Sequence, residues 1–107
     1  MLGRPLERRV EAGVGYVEIE EFSLQPVVSD EAFARLDDDL QVWSYRHREG
    51  LRRRTTARGA GREVLVVTLF GGDEPPSPAP PDAAPVAAFI AAADPATYRR
   101  ATYRDRG

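Results

Sequence analysis

The pattern of apolar and polar positions centres on Gly50 to Phe70, where two β-rich runs flank a glycine-bracketed turn. The first run, Leu51 to Arg58, is rich in arginine and threonine; the second, Val64 to Phe70, is almost wholly apolar. Glycines 59 and 61 between them signal a hairpin. A strand as apolar as the second is usually covered on both faces, which places it inside a sheet. An arginine-rich strand suits an edge, where charge blocks unwanted pairing. With Ala60-Gly61 as the tip, Arg58 faces Glu63 and Arg54 faces Val67. One face then carries Leu51, Thr55, Ala57, Val64, Val66 and Phe70. The other carries Arg52, Arg54, Arg58, Glu63, Leu65, Val67 and Leu69. A slip of one residue exchanges these faces.

Before the hairpin, alternation from Val14 to Leu24 predicts a strand. Val17 and Ile19 point one way, Tyr16 and Glu18 the other. Glu20 and Glu21 are adjacent polar residues, after which Phe22 and Leu24 resume on the opposite parity. Two readings account for this: a β-bulge near Glu20, or a second half of the strand that emerges from cover on one side. Gln25-Pro26 ends the strand. Ser29 then stands as an N-cap before Asp30 and Glu31, which complement the dipole of a helix expected over 30–49. Phe33, Leu36, Leu40, Trp43 and His47 form one apolar stripe. Arg46, His47 and Arg48 suit the last turn, and Gly50 is the expected C′ residue.

After the hairpin, six prolines between Asp73 and Pro85 predict an extended loop over 73–85. A second helix follows from Asp82 or Ala83 to Ala93, capped by Asp82, stopped by Asp94-Pro95, and apolar along Val86, Phe89, Ile90 and Ala93. In the last run, Tyr98, Arg100, Thr102 and Arg104 share one parity and Arg99, Ala101 and Tyr103 the other. This reads as a final edge strand, with a helical continuation as the rival. The order strand, helix, strand, strand, helix, strand is that of a ferredoxin-like α+β domain with a four-stranded antiparallel sheet. Right-handed crossovers put the first and third strands in the middle and the arginine-rich second and fourth at the edges.

Composition narrows the function classes. The chain has 107 residues, enough for one domain, expected over 14–107 behind a loose tail at 1–13. Its net charge of −2 gives no global field for nucleic acid. All its lysine-or-arginine residues are arginine, and asparagine is also absent, as expected of GC-rich coding. Without cysteine and with a single histidine, thiolate and His-rich metal sites are not expected. No signal peptide or membrane-spanning run is visible, so the expectation is a cytoplasmic protein without membrane or nucleic-acid partners.

Several segments together carry a family resemblance. Tyr-Val-Glu-Ile-Glu-Glu-Phe at 16–22, Ser-Asp-Glu-Ala-Phe at 29–33, Gly-Leu-Arg-Arg-Arg-Thr-Thr-Ala-Arg at 50–58 and Glu-Val-Leu-Val-Val-Thr-Leu-Phe at 63–70 are followed by an alanine-rich helix ending at Asp94-Pro95. Over residues 14–104 this pattern resembles the antibiotic biosynthesis monooxygenase-like proteins. The resemblance implies a dimeric α/β barrel, in which two sheets pack face to face and each subunit's pocket lies between its sheet and its helices. Some members oxidise polycyclic aromatic molecules with oxygen and no metal or flavin, and others open haem. The chain departs from the pattern at Leu69-Phe70-Gly71-Gly72, where members often carry a tryptophan or similar aromatic, and in its proline-rich insertion.

Candidate residues each have a plainer reading. His47, one turn beyond Trp43, is a candidate base or haem ligand; the simpler reading is a helix-end histidine favoured by the dipole. Trp43 and Tyr16 are candidates to position a ligand, but a tryptophan on an apolar stripe is more often core. Arg52, Arg54 and Phe33 are candidate ligand contacts, against edge-strand charge for the arginines. Asp37, Asp38 and Asp39 point in three directions and read as a solvated face. Two functions follow. One is a small-molecule enzyme or binding protein, without cofactor, taking a small aromatic ligand. The other is a non-enzymatic homodimeric module whose interior is filled by Phe33, Leu36, Trp43 and Phe89.

Overall fold

The computed structural model describes residues 15–106. The expected tail at 1–13 lies outside them, as do Val14 and Gly107. The elements are β1 (Gly15–Ser23), α1 (Asp30–His47), β2 (Leu51–Arg58), β3 (Glu63–Gly71), α2 (Ala84–Ala91) and β4 (Arg99–Arg104). The strands form one antiparallel sheet in the order β2-β3-β1-β4. The chain is thus α+β, and its topology is compatible with a ferredoxin-like fold. The final run is a strand rather than a helical continuation.

Local signals set the helix ends. Ser29 Oγ accepts from the Ala32 N–H at 3.0 Å, and Asp30 and Glu31 occupy the first turn of α1. The helix stops at His47, shorter than expected, because Arg48 takes an extended backbone after its N–H makes the last helical bond, to the Ser44 carbonyl at 2.9 Å. Gly50 then takes a left-handed φ of +81°, one place beyond C′. Its carbonyl accepts from the Gly71 N–H at 2.8 Å, which ties the helix exit to the end of β3. Ala83, not Asp82, is the N-cap of α2, with Pro85 in the first turn.

The helices cover one face of the sheet. Phe22, Val64 and Val66 rise from it to meet Phe33 and Leu40 of α1 and Val86 and Phe89 of α2. The rings of Phe22, Phe33 and Phe89 pack with centroids 5.5–6.3 Å apart. Ala92 and Ala93 are small enough for the chain after α2 to close on Leu24, with which Ala93 forms a bridge. Arg62, after the hairpin tip, clamps the β1–α1 loop by donating to the carbonyls of Leu24, Gln25 and Val28.

Two sequence expectations are corrected here. β1 pairs with β3 from Gly15↔Gly71 to Ser23↔Glu63 without a bulge, so there is no irregularity at Glu20. Glu18 and Glu20 share the helix-covered face with Phe22, while Val17, Ile19 and Glu21 lie on the other. The hairpin is also one residue out of the expected register: Arg58 pairs with Val64 and Arg54 with Thr68. Its loop is Ala60–Arg62, closed by the Gly59 N–H on the Glu63 carbonyl at 2.9 Å, with Gly61 at φ +63°. The extra loop residue moves Arg54 and Arg58 onto the same face as Val64 and Val66. Only at Leu51, beyond an irregularity between Leu51 and Arg53, does the partner return to Phe70.

The opposite sheet face is uncovered. It carries Val17, Ile19, Leu65, Val67, Leu69, Ala101 and Tyr103, of which Leu65 and Leu69 are each 37% exposed and Tyr103 57%. No described helix is long and apolar enough to cross a membrane.

Candidate functional site

The even parity of β1 sends two glutamates under the helices, where an unpaired carboxylate would be costly. Glu18 is only 2% exposed. Arg48, just past α1, grips it with both terminal nitrogens, Nη1 to Oε1 at 2.8 Å and Nη2 to Oε2 at 3.1 Å. Arg100 of β4 donates a third bond to Oε2. Burial alone would raise the Glu18 carboxyl, but the bonds and charges of Arg48 and Arg100 outweigh it and hold it below the ordinary carboxylate range. Arg48 also donates to the Ser77 carbonyl at 2.8 Å, which fixes the proline-rich segment over this region.

Glu20 has a different environment. Its recorded partner is the Tyr98 hydroxyl, which donates to Oε2. Burial pushes the Glu20 carboxyl up, and the neighbouring Glu18 charge adds to that, against the lowering effect of the Tyr98 bond. Tyr98 is raised in turn by burial and by the Glu20 charge. The ring of Tyr98 stacks on Phe22 at 5.9 Å, which holds its hydroxyl in place.

A third group sits across from these. Arg54 of β2 is buried, with Nη1 2.9 Å from Asp37 Oδ1 and 2.8 Å from Gln41 Oε1. Its guanidinium carbon lies 5.3 Å from the centroid of Phe89. Asp37 also accepts from Thr56 Oγ1 at 2.8 Å. Asp37 is therefore a partner of a buried arginine, which corrects the solvated-face reading for this one of the three aspartates; Asp38 and Asp39 are exposed.

Together these groups surround a cavity of about 260 Å³ between sheet and helices. Glu18, Glu20, Arg48, Arg54, Tyr98 and Arg100 supply its polar wall; Leu40, Val86, Phe89 and Ile90 supply the apolar one. Pro78, Ala79 and Pro81 line it from the proline-rich segment. Carboxyls displaced in opposite directions beside guanidinium groups and a tyrosine are a feature that functional sites share with structural ion-pair networks.

The Glu20 environment makes a direct prediction. A carboxyl raised in the folded state favours folding below its unfolded value and loses that contribution as pH rises through the folded one. Glu20→Gln removes the cost of burying charge while keeping an acceptor for Tyr98. The variant is expected to be more stable than the parent at pH 7 and equal to it near pH 4, as measured by urea denaturation across that range.

The residues expected from sequence are dispersed. Trp43 and His47 stack at 5.0 Å and line an open groove of about 620 Å³ with Arg48, Phe70 and the 71–80 segment. His47 is exposed. Tyr16 does not join them; its ring lies against Arg104, whose Nη1 donates to its hydroxyl at 3.2 Å. Arg52 is exposed beside Gly71, and Phe33 is core. Of the six candidates, only Arg54 lines the inner cavity. Glu18, Glu20, Arg48, Tyr98 and Arg100 were not singled out as site residues. The available signal was the unbroken parity of Tyr16, Glu18, Glu20, Phe22 and Leu24 in a central strand. Among the described residues, no three histidines or acids are grouped to hold a metal.

No family model, curated protein or solved structure matches the chain.

Proposed function

We propose that this chain is a ferredoxin-like, homodimeric small-molecule-binding protein whose ligand occupies the cavity between sheet and helices. The observation that supports this reading is the concentration of buried charge around a space large enough for a ligand. An apolar cavity of about 150 Å³ accommodates benzene, so 260 Å³ takes a substituted ring. Glu20 offers a proton acceptor or donor, and the arginines offer stabilisation to a ligand anion. These are capabilities that cofactor-free oxidation of an electron-rich aromatic would use, in keeping with the resemblance to antibiotic biosynthesis monooxygenase-like proteins. The cavity lies where that resemblance implies a pocket, while Trp43 and His47 lie on the outer side of Arg48.

One observation favours the alternative of a non-enzymatic dimeric module. Glu18, Arg48 and Arg100 satisfy one another, and Phe33 and Phe89 close one end of the interior. Thermal denaturation against phenols, quinols and polycyclic aromatics separates the two. A ligand at a hundred times its dissociation constant stabilises the native state by about 2.7 kcal/mol, several degrees for a domain of this size. The expected result is a shift that Ile90→Trp abolishes by filling the cavity, since Ile90 is 40% exposed and tolerates the change. A shift abolished by Trp43→Phe or His47→Ala, and not by Ile90→Trp, would move the site to the outer groove. No shift would favour the module. Oxygen uptake with the ligands that bind separates an oxidase-type enzyme from a binder.

A further inference from the structure

Two spaces in the fold share a wall. Arg48, Pro78 and Ala79 line both the inner cavity of about 260 Å³ and the outer groove of about 620 Å³. Pro81 adds to the wall on the cavity side; Trp43, His47 and Phe70 face the segment across the groove. The proline-rich segment therefore runs between the two spaces, with the Arg48 guanidinium beside it.

This partition is stiff but lightly held. From Glu74 to Pro81 every residue is a proline or stands directly before one. Proline fixes its own φ and pushes its predecessor into extended backbone, so the segment is a semi-rigid strip. Between Pro75 and Pro81 only Ser77 and Ala79 carry a main-chain N–H, which leaves the strip unable to join the sheet. Among the described residues, one hydrogen bond ties residues 73–79 to the rest of the chain, from Arg48 Nη2 to the Ser77 carbonyl at 2.8 Å. Pro76 and Ala79 are half-buried, and Ala79 packs against the core; Pro75, Ser77, Pro78 and Pro80 are exposed. Gly72 precedes the strip at φ +111°, with open space where a Cβ would stand. A turn follows it, closed by the Ala83 N–H on the Pro80 carbonyl at 3.2 Å. Lifting the strip breaks one hydrogen bond and uncovers little apolar surface, which puts this opening at the low-energy end of local motions.

We propose that residues 73–79 form a strap that gates the inner cavity, hinged at Gly72 and latched by Arg48 on the Ser77 carbonyl. Closed, the strap separates cavity from groove; open, it joins them into one space. The latch belongs to the cavity wall as well, because the same guanidinium holds Glu18 there. The gate goes beyond the binding reading above, since it concerns access and not the identity of what enters.

The test uses the intact chain without ligand. Relaxation-dispersion NMR follows residues 73–79, Leu40 and Val86 on the inner wall, and the Trp43 indole beside the groove. The expected result is microsecond-to-millisecond exchange with one rate common to all of them. Val66, which is buried and lines neither space, should show none. Arg48→Lys keeps a positive charge for Glu18 but removes the planar fork that bonds Glu18 and Ser77 together. Loss of that one hydrogen bond is expected to raise the open population about fivefold. It should also at least double the relaxation of the Leu40 and Val86 methyls by dissolved oxygen, and the acrylamide quenching of Trp43, the only tryptophan in the chain. A strap without exchange in the parent chain would overturn the proposal. Exchange confined to residues 73–79 and not shared by Leu40 and Val86 would make the segment a mobile loop rather than a gate, and would overturn it too. An open population unchanged in Arg48→Lys would overturn the latch, and the parent measurements stand even where that variant fails to fold. Shared exchange in a chain that binds no aromatic ligand would leave the gate and remove the binding reading; ligand binding without strap exchange would do the reverse.

Discussion

Replacing Arg48 by methionine is expected to destabilise the fold by about 3 kcal/mol or more, the range seen when one partner of a buried ion pair is removed. The chain shows why the effect should be large. Glu18 is held in the centre of the sheet by two arginines, and Arg48 supplies two of the three bonds it accepts. Arg48 also lies with its guanidinium carbon 4.7 Å from the centroid of Phe70 and fixes the proline-rich segment through Ser77. A loss of that size lowers the melting temperature of a domain of this length by roughly 15 °C. The second substitution, Glu18→Gln, identifies the cause. In the parent it is destabilising, because a carboxylate that favours folding is removed. In the Arg48→Met background it should restore much of the loss, because it removes the carboxylate that lost its main partner. A double-mutant cycle by urea denaturation measures the coupling directly. The pH dependence follows with a definite sign. A carboxyl depressed in the folded state stabilises the fold above its unfolded value, and that contribution disappears as pH falls through the folded one. Arg48→Met should therefore lose less stability on acidification than the parent. Equal losses would mean that Arg48 acts through Phe70 and Ser77 rather than through Glu18.

The same glutamate shows where sequence reading succeeds and where it stops. The architecture was legible because its signals are local. Ser29 and Gly50 bound the first helix, valines fill β3, and arginines mark the edge strands; each is a preference of a few adjacent residues for one backbone state. The candidate site is not local. Glu18 is held by Arg48 and Arg100, which lie 30 and 82 residues further along the chain. In sequence, a charged residue on the inner parity of a strand resembles a break in the pattern, so Glu20-Glu21 suggested either a bulge or a strand half that emerges from cover. The strand is regular; its inner acids are accommodated by partners that only the folded chain brings near. The hairpin register failed for a related reason. A tip of Ala60-Gly61 and a loop of Ala60–Arg62 differ by one residue, yet that residue decides whether Arg54 faces solvent or the core. Asp37 followed Arg54 inward, so one local choice at a turn changed two readings at once. His47 and Trp43 show the converse. Their stripe on α1 was read correctly as far as Trp43, which is half-buried and packs against the core; the stripe outlasts the core only at His47, which is exposed and stacks on Trp43 beside an open groove.

In the proposed homodimer, a charge placed at the middle of the uncovered sheet face should turn the dimer into a monomer. β3 is an interior strand with apolar residues on both faces, yet the helices cover only one. On the other, Leu65, Val67 and Leu69 lie beside Val17 and Ile19, with Ala101 and Tyr103 on β4. Growth of the sheet through its edges is disfavoured by Arg52, Arg53 and Arg58 on one side and Arg99, Arg100 and Arg104 on the other. Stacking face to face remains, and a second copy presents the same apolar patch at the same concentration. Four strands about 4.8 Å apart and six to nine residues long offer a face on the order of 500 Å² per copy. The total, on the order of 1,000 Å², is at the lower limit of specific interfaces. Such a dimer should dissociate in the micromolar range and depend heavily on its central residues. Val67 pairs with Ile19 on one side and Thr55 on the other, at the centre of the patch. Val67→Arg is expected to weaken association by at least a hundredfold, since burying an unpaired guanidinium there costs several kcal/mol. It should leave the monomer folded, because the side chain points away from the core. Sedimentation velocity over a range of concentrations measures the association, and circular dichroism checks the fold. A parent chain that sediments as a monomer at tens of micromolar would remove the dimer and leave the apolar face for a different partner. A dimer unaffected by Val67→Arg would place the interface elsewhere on the surface.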